Sequence, residues 1–341
     1  MIQVRSVVES LADQYLKWWK RTSDGNNING ACPFHHETTE GAFYMSTDTG
    51  LWICHGCQAR GSLHTFLKEV GAPSKLRTTV MDNIGPTLSR KSKPQLATVD
   101  QFKNHMPLSE GLLGIFDFCP VDLVEAGFSK EVLKSREVGF DKKAMRITFP
   151  IRNHLGVLMG IAGRTVIGEN PRYKIYKEKD LTRFSPKYKG YEFHKKNFLW
   201  NFHNIYPYTF HGDLNVVYVV EGYKAALWMI QHGYTSTVAL MGTYLSNMQR
   251  ALLQRLSADI CILLDNKELA KKGAYDAGKR LSRGNRVLMC DYPENASEGA
   301  QPDNLTAAEL QQTIETAVDF NKWRKTNECS QPSRTTWKQL E

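Results

Sequence analysis

The stretch "WICHGCQARGSLHTFL", residues 52–67, places Cys54 and Cys57 three positions apart, ahead of a glycine and an apolar run of helical character. A redox pair, a disulfide and half of a metal site all use thiols at this spacing. A second pair with the same spacing lies upstream in "CPFH", residues 32–35, and 18 residues separate the two pairs. Two equal spacings within one short segment favour a metal site.

Each pair can form a tight turn that directs two ligands at one ion, and two such turns complete a tetrahedral Cys3His zinc site with no open position. Because the segment is too small to hold itself together, the free energy of metal binding would act as free energy of folding, about 10 to 16 kcal/mol in zinc-finger peptides. His36 and His55 lie beside ligand positions and compete with His35, which the spacing favours. The predicted ligands are Cys32, His35, Cys54 and Cys57.

The composition of the 341-residue chain is that of a globular protein with two or three domains, since 41% of its residues are apolar. The N-terminal residues lack the apolar core of a secretory signal, and no window approaches 18 uncharged apolar residues. The seven cysteines are an odd number and do not resemble the disulfide framework of a secreted protein. We therefore expect a soluble, cytoplasmic protein.

The positive charge of the chain is concentrated in one segment. Residues 142–196 hold 14 lysines and arginines against 4 acidic residues, whereas the formal charge of the whole chain is +9. Such a concentration indicates a polyanionic partner, most often a nucleic acid. A solvated face that keeps the protein in solution is the alternative.

The second half of the chain changes pattern. "MRITFPIRNHLGVLMGIAGRTV", residues 145–166, alternates apolar and β-branched residues around a turn and predicts a β-hairpin, and the basic stretch 171–190 after it is expected to be a loop. From about residue 213, short buried strands alternate with helices, which predicts a mostly parallel α/β sheet.

Acidic residues follow three of these predicted strands. Glu221 ends the first, Asp265 follows the third, and Asp303 lies beyond the fourth. The carboxyl ends of parallel strands meet at one edge, where α/β proteins build their sites. Three acids at one edge cannot all stay ionised cheaply without a cation, so the sequence predicts bound Mg²⁺ or Mn²⁺.

Residues 32–67, "CPFHHETTEGAFYMSTDTGLWICHGCQARGSLHTFL", resemble the zinc-binding domain of the DnaG-type DNA primases of bacteria and phages. They share the Cys-Pro-Phe-His start, an aromatic residue at Phe43, the second knuckle and the helical exit. The resemblance implies that this domain helps to choose a start site on single-stranded template, through residues such as Trp52, His55 and Arg60. Trp52 is either a ring on which a base stacks or a core residue of the ribbon.

The glutamate and glycine after the first strand, with the aspartate after the third, are similar to the Toprim domain of the same primases. "RITFPIRNHLGVLMGIAGR" resembles the basic N-terminal subdomain of their polymerase core. The resemblance implies a small zinc ribbon followed by a primase core, with a basic α+β subdomain and a Toprim subdomain built on a parallel α/β sheet. The residues that it implies for the template and nucleotide channel are Arg152, Arg164, Lys174 and Lys195.

The domain order follows from the same resemblance. We expect a zinc ribbon at 1–72, a basic flexible linker at 73–107, the basic subdomain at 108–212, the Toprim subdomain at 213–310 and a helical tail at 311–341. A chain of this length is typical of a phage-type primase that synthesises RNA primers from nucleoside triphosphates and works with a separate replicative helicase.

Two positions depart from the family pattern. "EGYKA" has Ala225 where an aspartate is usual, and "DNKELA" has Lys267 in place of the second aspartate and Ala270 in place of a glycine. Glu268 is the nearest acid that could substitute, so we include it among the predicted catalytic residues. The departures leave a second hypothesis open: a primase-derived module that binds single-stranded nucleic acid with weak or no catalysis. A Toprim nuclease or topoisomerase is disfavoured by the primase-type zinc knuckle.

Overall fold

The structure, a computed structural model, describes residues 4–35, 41–57, 59–91, 106–210, 214–256 and 258–328, without the side chains of 85–91, 209, 210, 327 and 328. The chain divides into two compact units, residues 1–213 and 214–341. None of the helices in the described ranges is long and apolar enough to cross a membrane.

The first unit begins with a small antiparallel ribbon. Its elements are helix α1 (Val4–Tyr15), strands β1 (Trp19–Arg21), β2 (Asn27–Gly30), β3 (Phe43–Ser46), β4 (Trp52–Cys54) and β5 (Arg60–Gly61), and helix α2 (Leu63–Glu69). The strands pair in chain order. Four aromatic rings form the core beneath the sheet, with centroids between 4.9 and 6.5 Å apart: Phe34, Phe43, Trp52 and Phe66. Ile28, Met45 and Leu63 are also buried in the ribbon, and together with this cluster they supply its hydrophobic stabilisation.

A long helix, α3 (Ser74–Lys91), occupies most of the segment for which the sequence predicted a flexible linker. Val80, Met81 and Ile84 are buried, and the helix contacts both α1 and α2. Three apolar residues at helical spacing are enough to bury one face of the helix, and the surrounding polar and basic residues obscured that pattern. The rest of the predicted linker, residues 92–105, lies outside the described part of the chain.

The remainder of the first unit is built on a second antiparallel sheet. Its elements are α4 (Gly111–Ile115), α5 (Val121–Glu125), α6 (Lys130–Ser135), β6 (Gly139–Asp141), β7 (Arg146–Arg152), β8 (Leu158–Thr165), β9 (Tyr173–Ile175), α7 (Glu178–Leu181) and α8 (Phe202–Ile205). Strands β7 and β8 form the predicted hairpin, with a register shift at Ile151 and Arg152. The stretch 171–190, expected to be a loop, contributes the edge strand β9 and the helix α7.

The second unit contains the predicted parallel sheet. Its elements are β10 (Val216–Val220), α9 (Tyr223–Gln231), β11 (Thr237–Ala239), α10 (Asn247–Gln254), β12 (Asp259–Ile262), α11 (Glu268–Leu281), β13 (Val287–Met289), α12 (Ala307–Glu315), β14 (Val318–Asp319) and α13 (Phe320–Glu328). The strand order is β11-β10-β12-β13-β14. All pairs are parallel except the last, in which β14 pairs with β13 in the antiparallel direction. Strand β14 lies within the segment that was expected to be a helical tail.

The position of β10 in this order determines where a site can form. The chain passes from β10 to β11 on one side and later returns to β12 on the other side of β10. The carboxyl end of β10 is therefore a topological switch point, where the loops diverge and leave a crevice.

In the first unit, one arginine lies entirely inside the protein. The Arg152 side chain is 0% exposed; its two terminal nitrogens donate to Glu110 at 2.7 and 2.8 Å, and its Nε donates to Glu137 at 2.9 Å. The other oxygen of Glu137 lies 3.0 Å from Nε2 of His64 on α2. Nearby, Lys68 of α2 donates to the carbonyl of Ser135 at 2.9 Å. This group ties the helix that leaves the ribbon to the second sheet.

We predict that Arg152→Ala lowers the free energy of unfolding by about 3 to 5 kcal/mol, because it leaves two carboxylates without their partner in a buried site. Arg152→Lys should restore only part of this loss, since an ammonium cannot bind Glu110 in the bidentate manner. Urea unfolding followed by tryptophan fluorescence measures both. Arg172→Ala, at an exposed position, is the matched control and should change stability by less than about 0.5 kcal/mol.

The same comparison depends on pH. Burial alone would raise the pKa of Glu137, but Arg152 and His64 together hold that pKa well below its ordinary value. A lowered carboxyl pKa contributes stability above the unfolded-state pKa and loses it as the pH falls through the folded-state pKa. The difference between wild type and Arg152→Ala should thus shrink in acid. Equal unfolding midpoints at neutral pH would contradict the structural role of Arg152.

Candidate functional site

The four predicted zinc ligands converge in the ribbon. One ligand atom from each of Cys32, His35, Cys54 and Cys57 lies within 4.8 Å of the others. The sulfurs of Cys32 and Cys57 are 3.8 Å apart, and the sulfur of Cys54 is 3.9 Å from Nδ1 of His35. Two thiolates bound tetrahedrally to zinc at 2.3 Å would be about 3.8 Å apart. The cluster therefore has the dimensions of a closed zinc site.

The backbone around these residues also suits thiolates. The N–H of Phe34 points at the sulfur of Cys32 at 3.4 Å, and that of Cys57 points at the sulfur of Cys54 at 3.5 Å. A Cβ at Gly56 would lie 2.8 Å from Nε2 of His35, so the imidazole packs where only glycine leaves room. Burial raises the pKa of Cys32, which means that its thiolate needs a nearby cation.

Of the two competing histidines, His55 does not join this cluster. It is exposed and makes an edge contact with the ring of Tyr44, at 5.5 Å between centroids. The geometry thus gives no support to His55 as a ligand. His36 lies outside the described residues.

Trp52 occupies the second of its two predicted positions, the core of the ribbon. Its ring is 4% exposed and lies 4.9 Å from Phe34 between centroids, and its indole N–H donates to the carbonyl of Ser62 at 2.9 Å. A ring packed in this way has no face on which a base could stack. Arg60 is half-buried, with its guanidinium 4.6 Å from the centroid of the Tyr208 ring.

The four basic residues predicted to line a channel differ in how far they are exposed. Arg152 is a buried structural residue, so its prediction as a template contact is corrected: its side chain is 0% exposed and is paired with Glu110 and Glu137. Arg164 on β8 and Lys174 on β9 are half-buried, and Lys174 pairs with Asp180. Lys195 is exposed in a short 3-10 turn. Three of the four side chains therefore reach the surface at least in part.

In the second unit, the predicted acids follow strands of the parallel sheet. Glu221 directly follows β10, Asp265 follows β12, and Asp303 lies in a 3-10 turn beyond β13. The hydroxyl oxygen of Tyr292 is buried and has no hydrogen-bond partner among the described residues. Burial raises the pKa of Tyr292, and the charges of all three acids raise it further. We call Glu221, Asp265 and Asp303 the acid edge.

Polar side chains already hold each member of the acid edge. Lys267 Nζ lies 3.1 Å from Oδ2 of Asp265, and Gln301 donates to the same oxygen at 2.6 Å. The hydroxyl of Thr243 donates to Glu221 at 2.9 Å. In the described residues of this unit, no three carboxylate, imidazole or thiol groups bring their ligand atoms within 4.8 Å of one another.

Asp303 has a lysine of its own. Lys224 Nζ lies 2.8 Å from Oδ2 of Asp303, while Oδ1 of the same carboxylate is buried without a hydrogen-bond partner in the described structure. Four residues of this region were not predicted from the sequence: Lys224, Gln301, Thr243 and Tyr292. Lys224 and Gln301 lie within three residues of a predicted acid, which is the one signal that could have drawn attention to them.

Glu268 does not join the acid edge, so its inclusion among the catalytic residues is corrected. It is the first residue of α11, its side chain is 74% exposed, and it pairs with Lys272 at 3.3 Å. The physical reason is the start of the helix: Lys267 occupies the cap position and turns toward Asp265, and the next residue projects into solvent. Ala225 is buried within α9.

Comparison with known proteins gives a consistent result. Residues 1–81 match the family model of the CHC2 zinc finger, the zinc ribbon of DnaG. The DNA primase of Deinococcus radiodurans is 28% identical over 292 residues, which cover 74% of this chain and 48% of that protein. The DNA primase of Staphylococcus epidermidis is 23% identical over 360 residues, covering 89% and 56%. The chain thus spans about half the length of the curated relatives it matches.

Solved structures show the same fold. The zinc-binding and RNA polymerase domains of the Aquifex aeolicus primase superpose with a TM-score of 0.55 at 19% identity, covering 96% of this chain and 89% of that one. A DnaG primase catalytic domain bound to single-stranded DNA superposes with a TM-score of 0.51 at 20% identity, covering 66% and 82%. Residues 1–81 thus carry the CHC2 zinc finger, and the chain is similar in sequence and in fold to DnaG-type DNA primases.

Proposed function

We propose that this chain synthesises short RNA primers from nucleoside triphosphates on single-stranded DNA template in the cytoplasm. One observation carries the proposal: the acid edge lies at the switch point of a parallel sheet, in the same chain as a Cys3His centre of primase type. A related catalytic domain has been solved with single-stranded DNA, which supports the choice of template. We further propose 108–212 and 213–310 as the two parts of the catalytic core, and a replicative helicase on a separate chain as partner.

The basic residues and Tyr292 have different proposed roles. Arg164, Lys174 and Lys195 would hold template phosphates, which positions the strand without reading its sequence. The neutral hydroxyl of Tyr292 would donate a hydrogen bond within the acid edge, because its raised pKa keeps its proton in place. The start-site preference would come from the ribbon.

One oxygen of the acid edge is available to a divalent cation, since Oδ1 of Asp303 is buried and lacks a donor in the described structure. When bound, Mg²⁺ or Mn²⁺ would be held by Glu221, Asp265 and Asp303 and would offset the charge of the triphosphate. The work of the protein is then to fix the positions of the template and the nucleotide.

A second candidate is a binding module with weak or absent catalysis. Lys224 and Lys267 favour it, because each already neutralises an aspartate that a catalytic ion would use. The two functions differ in one measurement, incorporation of labelled nucleoside triphosphates on single-stranded templates with Mg²⁺ and then Mn²⁺.

We expect Glu221→Gln to reduce primer synthesis by at least about a hundredfold, the usual scale for losing a group that stabilises a transition state electrostatically. Template binding, measured by fluorescence anisotropy, should stay unchanged, because it is proposed to depend on Arg164, Lys174 and Lys195. Glu268→Gln is the matched control and should keep full activity, since that carboxylate faces solvent. Primer synthesis that survives Glu221→Gln would remove the acid edge from the mechanism.

The proposed zinc ligands make a separate prediction. Cys54→Ser should release one zinc per chain, measured by elemental analysis, and should expose residues 25–70 to protease while the second sheet and the parallel sheet stay folded. Cys119→Ser, at an exposed cysteine outside the cluster, should leave the zinc content unchanged. Wild-type protein purified free of zinc would refute the assignment.

The template residues predict a change in salt dependence. Alanine at Arg164, Lys174 or Lys195 should weaken single-strand binding about equally for all sequences and reduce the slope of log affinity against log salt by about 0.7. Lys134→Ala, an exposed lysine on α6 outside the basic segment, should leave the slope unchanged. If the triple variant binds like wild type, the basic segment is a solvated face.

A further inference from the structure

Two lysines enter the acid edge from the starts of two helices. Lys224 lies in the first turn of α9 and Lys267 at the cap of α11. Their partners, Asp303 and Asp265, have side chains that are only 3% exposed. Burying the charge of a carboxylate is costly unless a cation lies beside it, and here the chain itself supplies that cation.

The lysines change what a free divalent ion would meet. Three carboxylates alone would present a formal charge of −3, and two ammonium groups at 2.8 and 3.1 Å reduce it to −1. Ions of equal sign a few ångströms apart repel strongly at the low effective dielectric of a half-buried site. To bind at the acid edge, Mg²⁺ or Mn²⁺ therefore has to displace the two ammonium groups or lie close to them against their repulsion.

The contacts also show how the lysines could leave. Both ammonium groups contact Oδ2 of their aspartates, and within the described residues Oδ1 of Asp303 is buried without a donor. Lys267 has a side chain that is 50% exposed, so it can swing outward without disturbing the core. A triphosphate offers oxygens that compete with the aspartate for such an ammonium.

We propose that Lys224 and Lys267 are built-in counterions that keep free divalent ions off the acid edge and transfer to the oxygens of a nucleoside triphosphate when it binds with its ion. The identity of the ligand rests on the proposed function, whereas the exclusion of the free ion rests on the contacts alone. The contrary reading is that the lysines replace the ion permanently and stay on the aspartates when a triphosphate is present.

The first test uses Mn²⁺ alone. The full chain, loaded with zinc, is titrated with Mn²⁺ and the free ion is followed by electron paramagnetic resonance. Lys267→Met should bind Mn²⁺ at least about ten times more tightly than wild type, a change of about 1.4 kcal/mol. Lys272→Met, a lysine of the same helix that pairs with Glu268, should match wild type. Because Lys224→Met leaves a buried aspartate unpaired and risks unfolding, Lys267→Met carries the test, after a check of thermal stability.

The second test uses inorganic tripolyphosphate in the presence of EDTA, followed by calorimetry. Lys267→Met should bind this probe at least several-fold more weakly than wild type and Lys272→Met. Equal Mn²⁺ affinities for wild type and Lys267→Met would overturn the exclusion of the free ion, and unchanged tripolyphosphate binding would overturn the transfer. Neither measurement depends on primer synthesis, so a chain that makes no primers but shows both effects would refute the proposed function and leave this inference standing.

Discussion

A charge taken out of water needs a partner of opposite sign, and this constraint shapes each part of the structure that carries chemistry. In the first unit it surrounds Arg152 with Glu110 and Glu137. In the second unit it brings Lys224 and Lys267 onto the aspartates of the acid edge. In the ribbon the same constraint acts on buried thiols, whose ionised form requires a metal ion. The fold can thus be understood as three solutions to one electrostatic problem.

The features that could be predicted from the sequence are local in the chain. The spacing of the zinc ligands, the hairpin of β7 and β8, and the alternation of strands and helices after residue 213 each depend on residues that are close in sequence. Period and spacing record such features directly. The placement of Glu221 and Asp265 belongs with them, since these residues follow two adjacent parallel strands whose carboxyl ends lie together.

The features that could not be predicted depend on partners distant in sequence. Arg152 looks like any other basic residue of its segment until Glu110, 42 residues away, is seen to bind it. Lys224 appears to be one more helix residue until the turn that carries Asp303 folds over it. The sequence does not decide between the two possible roles of Trp52 for the same reason. Only the packing of Phe34 and Phe43 against its ring shows that it lies in the core and not at the surface.

The attachment of α2 has a mechanical consequence. His64 and Lys68 fix this helix to Glu137 and to the backbone at Ser135, on the far side of a segment of more than sixty residues. Within the first unit, these contacts fix the position of the zinc ribbon relative to the second sheet. If the ribbon recognises a start site, these contacts would hold that site at a fixed distance from the second sheet, and a change in the length of α2 would alter that distance.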